Sequence, residues 1–176
     1  MLLKKIGIIL VIVAIVVASS MFTGCIATEK GTLTLKITDA PGDLNITKAL
    51  VTISYVEVHI AAGGNNSSAE WVTVVNESQQ FDLIQLENVT DILGSTILDV
   101  GIYTQIRLHI AEALVTIDGT QYELEIPSDT VKLVHQFIIE PQETKVLILD
   151  FDIKESVHKT GSDKYILQPT IKVIEE

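Results

Sequence analysis

Two short stretches place reactive side chains at alternate positions: Glu57 and His59 in Val56-Glu57-Val58-His59, and Arg107 and His109 in Ile106-Arg107-Leu108-His109. Alternate residues of an extended chain leave on the same face. If the two stretches pair, Glu57 meets Arg107 as a cross-strand ion pair. Glu57, His59 and His109 are also candidate zinc ligands, because two imidazoles and a carboxylate are donors that zinc accepts. No H-x-x-x-H spacing accompanies them, and a solvated polar face with modest salt bridges is the plainer expectation. Asp150 and Asp152 alternate in a third stretch, Asp39 and Asp43 flank Ala40-Pro41-Gly42, and Asp82 stands apart. Hard carboxylate oxygens such as these suit Ca²⁺ if the fold gathers them, but there is no D-x-D-x-D-G loop and a polar strand end accounts for them equally. Ahead of Ala-Pro-Gly, Asp39 is expected to bond the backbone of its own turn. Trp71 is a candidate platform for a sugar ring, together with Tyr55, Tyr103, Tyr122 and Tyr165, although such rings commonly fill cores.

Ser156-Val157-His158-Lys159-Thr160-Gly161 contains both S-x-x-K and K-T-G. In serine β-lactamases these motifs come from separate elements that converge on the substrate, so a shared Lys159 cannot serve both. G-x-S-x-G and H-E-x-x-H are absent from the sequence. No catalytic residue is assigned and no cofactor is expected. The competing enzyme reading is a metal-dependent or carboxylate-dependent hydrolase working through Asp82 or Asp152.

The elements that must position these residues are strands. From Gly31 the apolar period is two: Leu33, Leu35 and Ile37 alternate with Thr34, Lys36 and Thr38, the pattern of a half-buried strand. Between Ala49 and Ile60 the apolar parity changes, from Ala49, Val51 and Ile53 to Val56, Val58 and Ile60. Such a switch calls for a bulge or a sheet corner near Ser54 and Tyr55. Trp71 to Val75, Gln80 to Leu86, Tyr103 to Ile110, Leu114 to Ile117, Thr120 to Ile126, Val131 to Ile139, Lys145 to Ile153 and Tyr165 to Ile174 continue the series. Asp118-Gly119 is a two-residue hairpin turn, and Val89 to Leu93 reads as one helical turn closed by Gly94. About nine to ten strands with at most one short helix make an all-β, antiparallel β-sandwich or barrel.

Residues 1–24 read as a lipoprotein-type signal peptide: Lys4 and Lys5, the apolar run Ile6 to Ala18, then small residues and Gly24 before Cys25. Cys25 is the expected lipidation site, followed by a tether over 25–30 and a single domain over 31–174. An uncleaved anchor over Ile6 to Phe22 is the alternative, at the short end of the spanning range. The net charge of −11 becomes −13 once Lys4 and Lys5 leave with the leader. That sign disfavours nucleic acid and anionic headgroups as partners. With one cysteine, no disulfide forms within the chain. All the asparagines, Asn45, Asn65, Asn66, Asn76 and Asn88, sit in N-x-S/T sequons, so these are the expected glycosylation sites. A lipid-linked cysteine together with sequons points to an archaeal surface protein.

Gly31-Thr32-Leu33, Thr38-Asp39-Ala40-Pro41, Val56-Glu57-Val58-His59, Trp71-Val72, Phe81-Asp82-Leu83, Gly101-Ile102-Tyr103-Thr104-Gln105-Ile106-Arg107-Leu108, Lys132-Leu133-Val134, Leu149-Asp150-Phe151-Asp152 and Gln168-Pro169-Thr170-Ile171 follow one another in an order that resembles the domain of unknown function 4382 of archaeal and bacterial lipoproteins. The resemblance runs from Gly31 to about Val173. It implies a transthyretin-like (prealbumin-like) β-sandwich at the cell surface and no particular reaction. The expected role is a non-catalytic, membrane-anchored surface module, structural or binding an envelope ligand. Its partners would be the membrane through the lipid, and an envelope polysaccharide or surface protein; a carbohydrate-binding module is the alternative.

Overall fold

The computed structural model describes residues 29–40, 45–62, 68–161 and 164–176. The leader, Cys25 with most of its tether, Asp43, Asn65 and Asn66 lie outside the described residues. Within them run β1 (Lys30–Asp39), β2 (Ile46–Ile60), β3 (Glu70–Val75), β4 (Gln79–Asp82), β5 (Asp91–Asp99), β6 (Gly101–Ile117), β7 (Thr120–Glu125), β8 (Thr130–Ile139), β9 (Thr144–Phe151), β10 (Val157–Lys159), β11 (Tyr165–Leu167) and β12 (Ile171–Glu175). A sheet of order β12-β9-β1-β5 stacks on a larger one of order β10-β11-β7-β6-β2-β3, in which β4 also pairs β2 and β8 also pairs β6. The fold is all-β and sandwich-like. Each sheet carries one parallel pair, β1 with β9 and β11 with β7, which alternation along a single strand does not encode.

The spine is the antiparallel pair β2 and β6. Its register slips twice within a few residues. Ala111 is the extra residue on β6 opposite Thr52 and Ile53, and Ser54 is the extra residue on β2 opposite Ile110 and His109. Each bulge advances its strand by one residue, so Ala49, Val51 and Ile53 point inward along with Val56, Val58 and Ile60, all at most 1% exposed. On β6 the same device turns Ile106, Leu108 and Ile110 inward together with Ala113 and Val115. These side chains meet Leu33, Leu35 and Ile37 of β1 and Leu147 and Leu149 of β9 in one core. At the β6–β7 hairpin both Asp118 and Gly119 have positive φ, 50° and 78°, as a two-residue turn that follows the strand twist requires.

Four local readings change, the first being that Tyr103 to Ile110 and Leu114 to Ile117 are one strand, β6, continuous through the Ala111 bulge. The helical turn is a 3-10 turn at Leu83–Leu86 that cuts short the strand expected over Gln80 to Leu86. Val89 to Leu93 instead leads into β5: Asn88 takes a left-handed conformation (φ 59°), Leu93 is buried, and Gly94 lets β5 approach Val75, whose Cγ2 would lie 2.6 Å from any added Cβ. Tyr165 to Ile174 is two strands in different sheets, β11 and β12, parted at Pro169. After β9 a one-turn helix, Ile153–Ser156, precedes β10.

That helix is fastened by a buried carboxyl. Asp39, at the end of β1 and 2% exposed, accepts the Ile153 N–H on Oδ1 at 3.0 Å. Its partner is therefore 114 residues away, not in its own turn. The Ala40 N–H donates to the Phe151 carbonyl at 2.6 Å, and Asp152 Oδ1 caps the helix by accepting the Glu155 N–H at 3.0 Å. Buried Ser156 donates its hydroxyl to the Asp152 carbonyl (2.5 Å) and accepts the Thr170 N–H (2.9 Å). Asp39 Oδ2 has no hydrogen-bond partner among the described residues. Burial pushes the Asp39 carboxyl up to about 7; the Ile153 N–H opposes the rise, and the charges of Asp152, Glu87 and Asp150 add to it.

Two expected outcomes follow from these contacts. Deleting Ser54 forces one half of β2 to turn its apolar side chains outward. At about 1.5–3 kcal/mol per large side chain, that consumes much of an ordinary stability of about 5–15 kcal/mol. The deletion variant should show no cooperative melt by circular dichroism, whereas Ser54→Ala, which keeps the residue count, should fold. For Asp39 the folded protein holds a proton that the unfolded chain releases near 3.8. Stability from this group is complete below that value, falls as pH rises towards about 7, and stays low above. Thermal melts should therefore drop between pH 5 and pH 8 in the parent and much less in Asp39→Asn; a parent melting point that climbs across this window would contradict the assignment.

Candidate functional site

The outer face of the larger sheet gathers the polar residues that the sequence singles out. Across β8, β6, β2 and β3, one row reads Lys132, Arg107, Glu57 and Thr73, and the next Val134, Gln105, His59 and Trp71. Arg107 Nη1 donates to Glu57 Oε1 at 3.2 Å, the cross-strand ion pair expected from the alternation. The guanidinium carbon also lies 3.8 Å from the Trp71 ring centroid, reaching diagonally over β2. A cation over an indole face contributes about 0.5–1 kcal/mol where solvent reaches it and more where it does not. The His59 ring sits 4.9 Å from that of Trp71, tilted by 54°, and its Nδ1 is 2.9 Å from the Thr104 hydroxyl. The indole face beneath Arg107 is thus covered by the guanidinium. Arg107 Nε is buried with no hydrogen-bond partner among the described residues.

The paired bulges open a cleft of about 510 Å³ beside this array, lined by Ser54, Tyr55, Glu57, His109, Ala111 and Asp129. Ser54 at the parity switch turns Tyr55 outward, where its hydroxyl lies 2.5 Å from that of Thr73 and its ring meets His109 edge-on at 5.4 Å. The Thr130 hydroxyl donates to Asp129 Oδ1 (3.1 Å) and stands 3.1 Å from His109 Nδ1. With its own proton spent on Asp129, Thr130 accepts from His109, so the imidazole carries hydrogen on Nδ1. A carboxylate, a hydroxyl and an imidazole are thereby linked in series at the cleft wall. Tyr55 carries a signal in the sequence, since it follows the parity switch. Thr130 and Asp129 carry none, because only the β6–β8 register brings them to His109.

The metal candidates are distributed over two regions. Glu57, His59 and His109 share the outer face, each bonded to a neighbour, Arg107, Thr104 and Thr130 respectively. Asp150 and Asp152 belong to the far end of β9, beside Asp39. Burial raises the Asp150 carboxyl above its usual range, against the pull of Lys172 and with help from Asp152. Asp82 Oδ1 accepts the Ala49 N–H at 3.1 Å. Among the described residues no group of three His, Cys, Asp or Glu is placed to hold a metal ion, and no helix is long and apolar enough to cross a membrane. Asn45, Asn76 and Asn88 are all exposed.

No curated protein matches the chain. A solved structure described as "a putative cell adhesion protein from Bacteroides ovatus" is similar at 10% identity and a TM-score of 0.23, over 84% of this chain and 45% of that one; the chain thus spans less than half the length of that protein. Residues 30–169 match the model of the family described as domain of unknown function (DUF4382). That span takes in β1 to β11 with both polar regions above, and the chain belongs to this family.

Proposed function

We propose that the chain is a non-catalytic surface module, carried on the outer face of a membrane by lipid on Cys25 and serving in envelope architecture or in binding an envelope ligand. The observation that carries this reading is the placement of the lone Cys25 between the apolar run ending at Ala18 and the first strand residue of the sandwich, Lys30. The tether between them spans at most roughly 20 Å when extended, so the sandwich stays close to the bilayer. A two-chain lipid on the thiol holds stably without a basic patch, which suits so acidic a chain. The exposed positions of Asn45, Asn76 and Asn88 between strands support glycosylation at those sites. On the outer face, Arg107 bonds Glu57 and lies over Trp71, and His59 packs on Trp71 while bonding Thr104, an arrangement that favours a rigid contact surface over proton-transfer chemistry.

Detergent-phase partitioning of the full chain, made in a host that lipidates such cysteines, tests the anchor. The parent should partition into detergent and gain the mass of a diacylglyceryl group with loss of residues 1–24, and Cys25→Ser should gain no lipid mass, its partitioning then depending on whether the apolar leader is kept. A Cys25→Ser protein that is cleaved and partitions as the parent does would sink the lipid reading. Retention of residues 1–24 in both proteins would assign the anchor to the apolar run itself.

A further inference from the structure

The two lateral edges of the sandwich are finished differently. On one side β5 is closed against β3 and β4: Gln79 Nε2 donates to the Leu93 carbonyl at 3.0 Å, and Gly94 lies against Val75. On the other side β8 pairs only with β6. The gap between β8 and the strands of the smaller sheet is crossed where Glu175 bonds His135 (3.1 Å) and Lys145 and closes at the end of β8, where Gly31 packs against Ile139 and Glu140; between them a groove of about 340 Å³ runs from Gln136, Phe137 and Ile138 to Glu143 and Lys145. An unpaired edge leaves backbone donors and acceptors free to template another strand. The outward residues of β8 are unusually apolar: Val134 is 86% exposed and Ile138 49%, and Ile138 stands opposite Ile102 of β6, itself 47% exposed. Along the whole of β8 there is no acid, and Lys132 has no ion-pair partner among the described residues.

We propose that β8 pairs antiparallel with β8 of a second copy of this chain, about a two-fold axis at Gln136. The charge pattern selects both occupant and register. The exposed series on this edge is Lys132, Val134, Gln136, Ile138 and Glu140. Folded back on itself about Gln136, it sets Lys132 opposite Glu140 of the second copy, Val134 opposite Ile138, and Gln136 opposite its own equivalent, with every contact made twice. Cross-strand ion pairs and β-branched pairs each favour pairing. A centre one residue earlier, at His135, would put Lys132 against Ile138 and Val134 against Gln136, mating charge with aliphatic side chain. Lys132 thus disfavours the register centred on His135 and favours the one centred on Gln136. The sequons fall within residues 45–88, so none lies on this strand.

Light scattering of the full chain in detergent micelles, across a concentration series, tests the pairing. The parent should dimerise; Lys132→Glu and Glu140→Lys should each weaken the dimer by about tenfold or more, since each places two like-charge contacts in it. The double variant carrying both exchanges should dimerise as the parent does, which also shows that neither single loss reflects misfolding. A parent that stays monomeric at the highest concentration reached, a dimer indifferent to both reversals, or a double variant that fails to recover would each overturn the proposal.

Discussion

The structure depends on keeping one side of the β2–β6 pair apolar along its full length. Side chains alternate with a period of two, so a strand whose apolar parity changes needs an extra residue if both halves are to face the core. The paired bulges at Ser54 and Ala111 solve this by resetting both strands at nearly the same level. Either bulge alone would leave its strand half inverted relative to the partner. Together they keep Ile53 and Ile110 in the core on one side of the defect and Val56 and Leu108 on the other. The same defect pushes Tyr55 outward and opens the cleft at His109, so the packing solution and the surface feature share one cause.

This constraint was legible in the sequence because it leaves a one-dimensional trace. The parity of Ala49, Val51 and Ile53 against Val56, Val58 and Ile60 reveals the bulge without any knowledge of the partner, and Glu57 facing Arg107 follows once the two clearest strands pair. What escaped was whatever depends on a third element. β5 was missed because Gly94 and Ser95 interrupt its alternation and two of its isoleucines, Ile92 and Ile97, face solvent. Arg107 over Trp71 requires β3 beside β2, and Asp39 bonded to Ile153 requires the ends of β1 and β9 to meet across more than a hundred residues. Parallel pairings are illegible for the same reason: nothing in β1 alone says which way its neighbour runs.

The polar groups on the outer face are largely bonded to one another. Glu57 is held by Arg107, Arg107 lies on Trp71, His59 bonds Thr104, and His109 bonds Thr130. Such mutual bonding restricts the rotamers of these side chains. The acidic end differs in kind. Asp39 is buried with one oxygen bonded and the other not, so its proton is retained by desolvation. Its role is to join β1, β9 and the one-turn helix, and its cost is a fold less stable in alkali than in weak acid.

If the chain is tethered through Cys25 and pairs at β8, as proposed, the pairing also constrains how it can lie. The two-fold axis of an antiparallel strand pair stands perpendicular to the sheet, and the paired segment from Lys132 to Glu140 covers about 27 Å. Glu140 adjoins the root of β1, where a side chain on Gly31 would collide with its carbonyl, so the two tethers leave from opposite ends of the shared ribbon. An upright pair would carry its two lipids in opposite directions and could not sit in one bilayer. With the sheets laid parallel to the membrane, both tethers descend from the same level, and a reach of roughly 20 Å is enough for each. The short tether and the open edge are therefore compatible in one membrane only if the sandwich lies on its face, which leaves a single broad sheet surface to meet whatever lies outside.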